Sequence, residues 1–258
     1  MKIYSYLFLF CLSFMSLSAE AQAKKEITEA DKLALEGVIV EKYYSYDAKD
    51  VLDTAGGALP EGAVTYRIYV DMKPDYKLQA VYGVTNHELF IKTTTTFFNN
   101  TQSGDISGDK IDDKKITNST AAFDSWITIG AATDEHNGIM KVEDTDGSII
   151  KSNAMAKADG LIASKIKPIT FFGFDLKFFN NPSGASSFSG NNGSWAVFGS
   201  MKGATNENKV LIAQLTTSGK LSFELNLQIG TPNGATLNYV AKNPEGKEIK
   251  FEGLTLKN

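Results

Sequence analysis

The stretch Leu221-Ser222-Phe223-Glu224-Leu225-Asn226-Leu227-Gln228-Ile229 alternates five apolar residues with four polar ones without a break. Successive side chains of an extended strand leave by opposite faces, so this spacing sends every apolar residue to one side. It predicts a single half-buried β-strand. Val64-Thr65-Tyr66-Arg67-Ile68-Tyr69-Val70 repeats the pattern, with Val64, Tyr66, Ile68 and Val70 facing a core and Thr65, Arg67 and Tyr69 facing out. Shorter runs of the same character lie at 38–44, 78–82, 89–98, 126–129, 195–200, 210–216, 236–241 and 248–251. Turn formers separate them. Asn137-Gly138, Asn192-Gly193 and Pro232-Asn233-Gly234 supply residues that accept positive φ, and Asn243-Pro244-Glu245-Gly246 reads as another tight turn. Thr217-Ser218-Gly219, between two strong strands, reads as a short hairpin. Many short strands without long helical periodicity predict an all-β fold, an antiparallel β-sandwich of jelly-roll-like form. Its long surface loops are expected over 99–120, which is polar and acidic, and 180–194, which is rich in Asn, Gly and Ser.

At the N-terminus, Lys2 precedes an apolar run from Ile3 to Met15, and the small-residue sites Ala19-Glu20-Ala21 and Ala21-Gln22-Ala23 follow. A charged start, a short apolar core and a cleavable end make a secretory signal peptide over residues 1–23. The run is shorter than the roughly 20 residues a spanning helix needs, so no transmembrane segment is expected after cleavage. The expected destination is secreted or periplasmic. Residues 24–34 read as an N-terminal tail and 35–258 as one β-sandwich domain. The only cysteine, Cys11, lies within the signal, so the mature chain is expected to hold neither a disulfide nor a thiol nucleophile.

The chain of 258 residues has 42% hydrophobic content, 11% aromatic residues and a formal net charge of −4, which excludes a disordered chain and argues against a basic nucleic-acid-binding surface.

Four segments carry a resemblance. They are Thr65-Tyr66-Arg67-Ile68-Tyr69-Val70-Asp71 leading to Leu78-Gln79-Ala80-Val81-Tyr82-Gly83, then Phe123-Asp124-Ser125-Trp126-Ile127-Thr128-Ile129-Gly130, then Gly193-Ser194-Trp195, and Val210-Leu211-Ile212-Ala213-Gln214-Leu215-Thr216. Together they resemble a family of exported β-rich domains of environmental Gram-negative bacteria. The resemblance implies export and a β fold. It implies no activity, because none is established for the family.

Reactive side chains are few. His87 and His136 are the only histidines, which restricts triad, general-base and zinc chemistry. No Gly-x-Ser-x-Gly elbow, phosphate-cradling glycine loop or His-Glu-x-x-His helix is present. Calcium is the candidate cofactor, because Asp105, Ser107, Asp109, Asp112 and Asp113 cluster oxygen donors and Asp144-Thr145-Asp146-Gly147 forms a second acidic turn. Both depart from the EF-hand template. The first places Lys110 where glycine belongs and Ile116 where the closing glutamate belongs. Trp126, Trp195, Tyr82, Phe188, Asn191 and Asn192 are the candidate ligand-binding residues, as rings able to lie against a sugar face and amides able to pair with hydroxyls. The expected function is that of an exported non-catalytic module with a binding or structural role. Its expected partner is an extracellular polysaccharide or a surface protein, not nucleic acid. The alternative is a secreted carboxylate-dependent hydrolase acting on polysaccharide, since 30 acidic residues are available for the necessary pair.

Overall fold

The stretch that predicts one strand forms two. β12 (Leu221–Glu224) and β13 (Asn226–Gly230) meet at Leu225, whose N–H leaves the ladder and donates to the Leu254 carbonyl. Leu221, Phe223, Leu225, Leu227 and Ile229 nevertheless all remain buried in one core. The side-chain alternation survives the break, while the hydrogen-bond partners change. In this computed structural model the described residues are 25–180 and 183–257, so the expected signal peptide lies outside them.

The described residues are all-β, with sixteen strands and only short 3-10 turns between them. A six-stranded sheet runs in the order β15 (Ile249–Lys250), β14 (Thr236–Val240), β13, β3 (Lys77–Gly83), β10 (Gly193–Met201), β8 (Ile169–Phe172). A four-stranded sheet has the order β16 (Thr255–Leu256), β12, β4 (Leu89–Thr93), β9 (Ser187–Gly190). Three neighbouring paths of chain pass from one to the other, through β12 and β13, β3 and β4, and β9 and β10. Glycines permit the close approach at this bend. A Cβ on Gly83 would run into the Gly190 carbonyl, and one on Gly190 would run into the Phe174 ring.

A second four-stranded sheet has the order β1 (Leu35–Ser45), β2 (Val64–Met72), β11 (Lys209–Thr217), β5 (Trp126–Ile127). A two-stranded ribbon joins β6 (His136–Gly138) to β7 (Leu161–Ala163). Between these strands all the pairings are antiparallel except that of β14 with β15.

The β1–β2–β11–β5 sheet is buried on both faces. Ile68, Val70 and Ile212 enter the core shared with the other two large sheets, whereas Tyr43, Tyr69, Trp126 and Leu211 enter a second core beneath 111–161. This corrects the expectation that Thr65, Arg67 and Tyr69 face solvent. Thr65 and Thr216 share a hydroxyl hydrogen bond of 2.7 Å, and Arg67 Nε donates to Gln214 Oε1 at 2.9 Å. These are direct register partners of β2 and β11, so the polar pairs form as the strands align.

The same second core explains why 99–120 is not a solvated loop. Asn100, Ser107, Asp109, Ile111, Ile116 and Thr120 are buried as it packs over the sheet. Segment 180–194 likewise contains β9 and the start of β10.

The turns divide in the same way. Pro232-Asn233-Gly234 closes the β13–β14 hairpin, with the Gly234 N–H donating to the Thr231 carbonyl at 2.9 Å. Thr217-Ser218-Gly219 instead carries the chain from one sheet to another, since β11 and β12 lie in different sheets. Asn137-Gly138 lies within β6, and Asn192-Gly193 marks the passage from the β9 sheet to the β10 sheet.

The expected N-terminal tail is docked over its described part. The Asp31 carboxylate accepts from the Thr28 N–H and hydroxyl and from the Tyr76 hydroxyl, while Ala34 is fully buried. Among the described residues no helix is long and apolar enough to cross a membrane.

Candidate functional site

The outer face of the six-stranded sheet takes its character from strand register. Gln228 of β13 lies opposite Asn238 of β14 on one side and Ala80 of β3 on the other. Ala80 pairs with Ala196 of β10, and Ala196 with Thr170 of β8. One step along the strands, Tyr82 pairs with Ser194, and Ser194 with Phe172. Amides, small residues and aromatics from five strands therefore share one surface.

A shallow groove of about 390 Å³ opens there, with Tyr82, Phe172, Asn192, Gln228, Asn238 and Glu248 in its lining. The Phe172 ring is 66% exposed, whereas Tyr82 is only 8% exposed. Tyr82 Oη and Asn238 Oδ1 are both buried, and neither finds a hydrogen-bond partner among the described residues. Buried polar atoms are nearly always paired, so two unpaired atoms on the lining of one groove mark it out. Burial pushes the Tyr82 phenol up to about 12, with the nearby Glu248 carboxylate adding to the shift. The phenol therefore stays neutral at ordinary pH and keeps its capacity to donate.

The surroundings hold this surface in place. Asn226 Nδ2 donates to the Tyr82 carbonyl at 3.1 Å and to the His87 carbonyl at 2.9 Å, fixing the tight turn between Val84 and His87. His87 Nε2 lies 2.8 Å from Glu248 Oε2, and the same oxygen accepts the Glu245 N–H at 2.7 Å. At the other end, Gly173 adopts φ +71° and packs against the Asn192 carbonyl, which leaves no room for a Cβ.

Of the residues expected to bind ligand, the structure brings Tyr82 and Asn192 together in this groove, with Asn191 exposed beside it. The remaining three lie in the core. Trp195 is 0% exposed and its Nε1 donates to the Thr128 carbonyl at 2.9 Å. Phe188 packs among Phe174, Phe179 and Trp195. Trp126 is buried in the second core. None presents a free ring face, because each is the apolar anchor of its strand.

The expected calcium donors each have partners of their own. Asp105 Oδ1 accepts from the Ile106 N–H, and Ser107 Oγ donates to Asp109 Oδ1 at 2.6 Å. Asp109 Oδ2 accepts from the Ile169 N–H, and Asp112 Oδ1 accepts from the Lys114 N–H at 2.9 Å. Asp113 Oδ1 meets His136 Nδ1 at 2.7 Å and the Thr133 hydroxyl at 3.0 Å. Asp144 accepts backbone N–H groups from Asp159 and Gly160. Burial drives the Asp144 carboxyl up, but these N–H donors outweigh it and leave the group below its usual value. Among the described residues no three His, Cys, Asp or Glu side chains converge on one point where they could hold a metal ion.

The Thr133, His136 and Asp113 cluster also lacks relay geometry. Both partners approach the same ring nitrogen, whereas a nucleophile relay needs opposite ones.

Searches against protein-family models, curated proteins and solved structures return no match to this chain. The functional reading therefore stands on the groove.

Gln228, Asn238, Phe172 and Glu248 were not among the expected site residues. A signal for two of them existed. The Pro232-Asn233-Gly234 turn sets the register that puts Gln228 opposite Asn238, and both occupy outward positions of their strands. Phe172 had no such signal, because Phe171-Phe172 breaks alternation.

Proposed function

We propose that the protein is an exported, non-catalytic β-sandwich module that binds a neutral glycan on the outer face of its six-stranded sheet. The observation that carries this reading is the pair of unpaired polar atoms, Tyr82 Oη and Asn238 Oδ1, in a groove beside the exposed Phe172 ring. Sugars offer what such a surface lacks. Hydroxyls can complete the phenol and the amide directly or through one bridging water, and an apolar sugar face can lie on an aromatic ring. The groove is shallow, whereas sites for small apolar molecules enclose most of their ligand. The signal-like N-terminus supports export. Hydrolysis of a glycosidic bond ordinarily uses two flanking carboxyl groups, and the groove lining holds one, Glu248, already engaged by His87 and the Glu245 N–H.

Affinity electrophoresis of the mature protein in mixed-linkage β-glucan, glucomannan, galactomannan and polygalacturonate tests the proposal. Retardation by at least one neutral polymer, reduced in Tyr82→Phe, is the expected result. That substitution removes a hydroxyl without a protein partner, so the protein should melt no lower while affinity falls about tenfold, the equivalent of one hydrogen bond of about 1.4 kcal/mol. Migration unaffected by every neutral polymer would overturn the proposal.

A further inference from the structure

Resting on this glycan reading, we infer that the binding surface continues along β10 from Phe172 to Phe198, and that the ligand is an internal stretch of an extended neutral polysaccharide. Phe198 is 96% exposed, the most exposed large apolar side chain among the described residues. Its direction follows from its neighbour. Val197 packs in the core, so Phe198 leaves by the opposite face, the one that carries Tyr82, Ser194 and Phe172.

The backbone holds it there at a cost. Ala196 pairs with Ala80 and Met201 with Leu78, so residues 197–200 stand opposite Gln79 alone. Within this bulge Gly199 has φ +76° and Ser200 has φ +56°, and left-handed backbone is unfavourable for a serine. Lys167 Nζ donates to the Ser200 carbonyl at 2.7 Å and ties the bulge down. Bulges that re-aim a side chain are concentrated near functional sites. Nothing in core packing accounts for a phenyl ring held in water by a strained insertion.

The geometry between the two rings fits a polymer. Phe172 lies beside Ser194, and the four residue steps from Ser194 to Phe198 span roughly 13–14 Å. This exceeds the length of a single sugar ring. The floor between the rings is made of small side chains, Thr170, Ala196 and Ala80, while Gln228 and Asn238 continue the same row. Aromatic contacts at two separated points with amides alongside suit a chain whose apolar faces recur along its length. The groove lining adds a carboxylate and no cationic side chain, and the chain has a net charge of −4, which disfavours acidic polymers.

The test is isothermal titration of the mature protein with oligosaccharides, disaccharide to octasaccharide, cut from whichever neutral polysaccharide retards it, using wild type, Phe172→Ala and Phe198→Ala. Both rings are exposed, so unchanged melting temperatures are expected for the variants. In the wild type, affinity should rise about tenfold or more between the disaccharide and the hexasaccharide. Phe198→Ala should abolish that rise and leave disaccharide binding unchanged, while Phe172→Ala should weaken binding at every length. Wild-type affinity that stops growing at the disaccharide, or Phe198→Ala binding hexasaccharide as wild type does, would refute the extended surface while leaving the groove as a glycan site. Failure of wild type to bind any neutral polysaccharide would remove both.

Discussion

Arg67 shows how a residue that reads as solvent-facing becomes structural. Its guanidinium is 2% exposed, stacks 3.5 Å from the Tyr43 ring centroid, and donates to Gln214 and to the carbonyls of Asp159 and Gly160. Arg67→Ala would leave Gln214 Oε1 without its donor and open a cavity beside Tyr43, while the Asp159 and Gly160 carbonyls keep the Tyr43 hydroxyl and the Ile139 N–H. The expected loss is about 2–4 kcal/mol, from the cavity and the orphaned amide oxygen, read from a urea midpoint shift at constant slope. A loss below about 1 kcal/mol would mean that the second core does not depend on this side chain.

Asp31 contributes to the pH dependence, as do Asp50 and Asp144, whose carboxyls are also held low. The Thr28 N–H, the Thr28 hydroxyl and the Tyr76 hydroxyl hold the Asp31 carboxyl below the ordinary value. A depressed folded-state value stabilises the protein fully above the unfolded value of about 4, and this contribution is lost as pH falls through the folded value. Asp31→Asn should therefore make the acid side of the melting-temperature profile less steep while leaving its shape near neutral pH unchanged. An acid limb as steep as that of wild type would count against the assignment.

Elements were legible where one strand needed only its own alternation. Every long apolar–polar run became strand, and the Pro232-Asn233-Gly234 turn placed Gln228 beside Asn238. What alternation cannot show is whether a second layer will cover the polar face. Thr65, Arg67 and Tyr69 look like a wet face because their polar atoms are visible in the sequence, whereas the segment that buries them is distant and itself polar. The site was half legible for a related reason: Tyr82 and Asn192 were recognisable as types, but the meeting of five strands is a property of register.

The bend between the sheets offers a test at this scale. A Cβ at Gly83 would meet the Gly190 carbonyl and approach Leu89 Cβ to 3.2 Å, so Gly83→Ala should cost about 2 kcal/mol or more. Gly147 has φ +92° with open space around it, so Gly147→Ala should cost only the backbone strain, about 1 kcal/mol. Equal losses on urea denaturation would indicate that the Gly83 bend relaxes freely.

For the molecule as a whole, the proposed export signal carries the one cysteine, and the fold rests on cores without a cross-link. Exported material should begin at Lys24 by mass spectrometry. Its melting temperature should be the same with and without reductant. A reductant-sensitive melt would mean that Cys11 is retained and the segment that carries it is not removed.

The pairing of β2 with β11 has a consequence for the order in which the protein can be made. Thr216 stands 151 residues after its partner Thr65, so β2 emerges early and its second edge stays open until most of the chain has followed. If the chain crosses a membrane as an unfolded thread, its early strands reach the far side with one flank bare. They are then exposed to proteases and to the same strands of neighbouring chains. Folding is in this sense decided late, and a chain released before β11 would present a sticky edge that nothing within it can close.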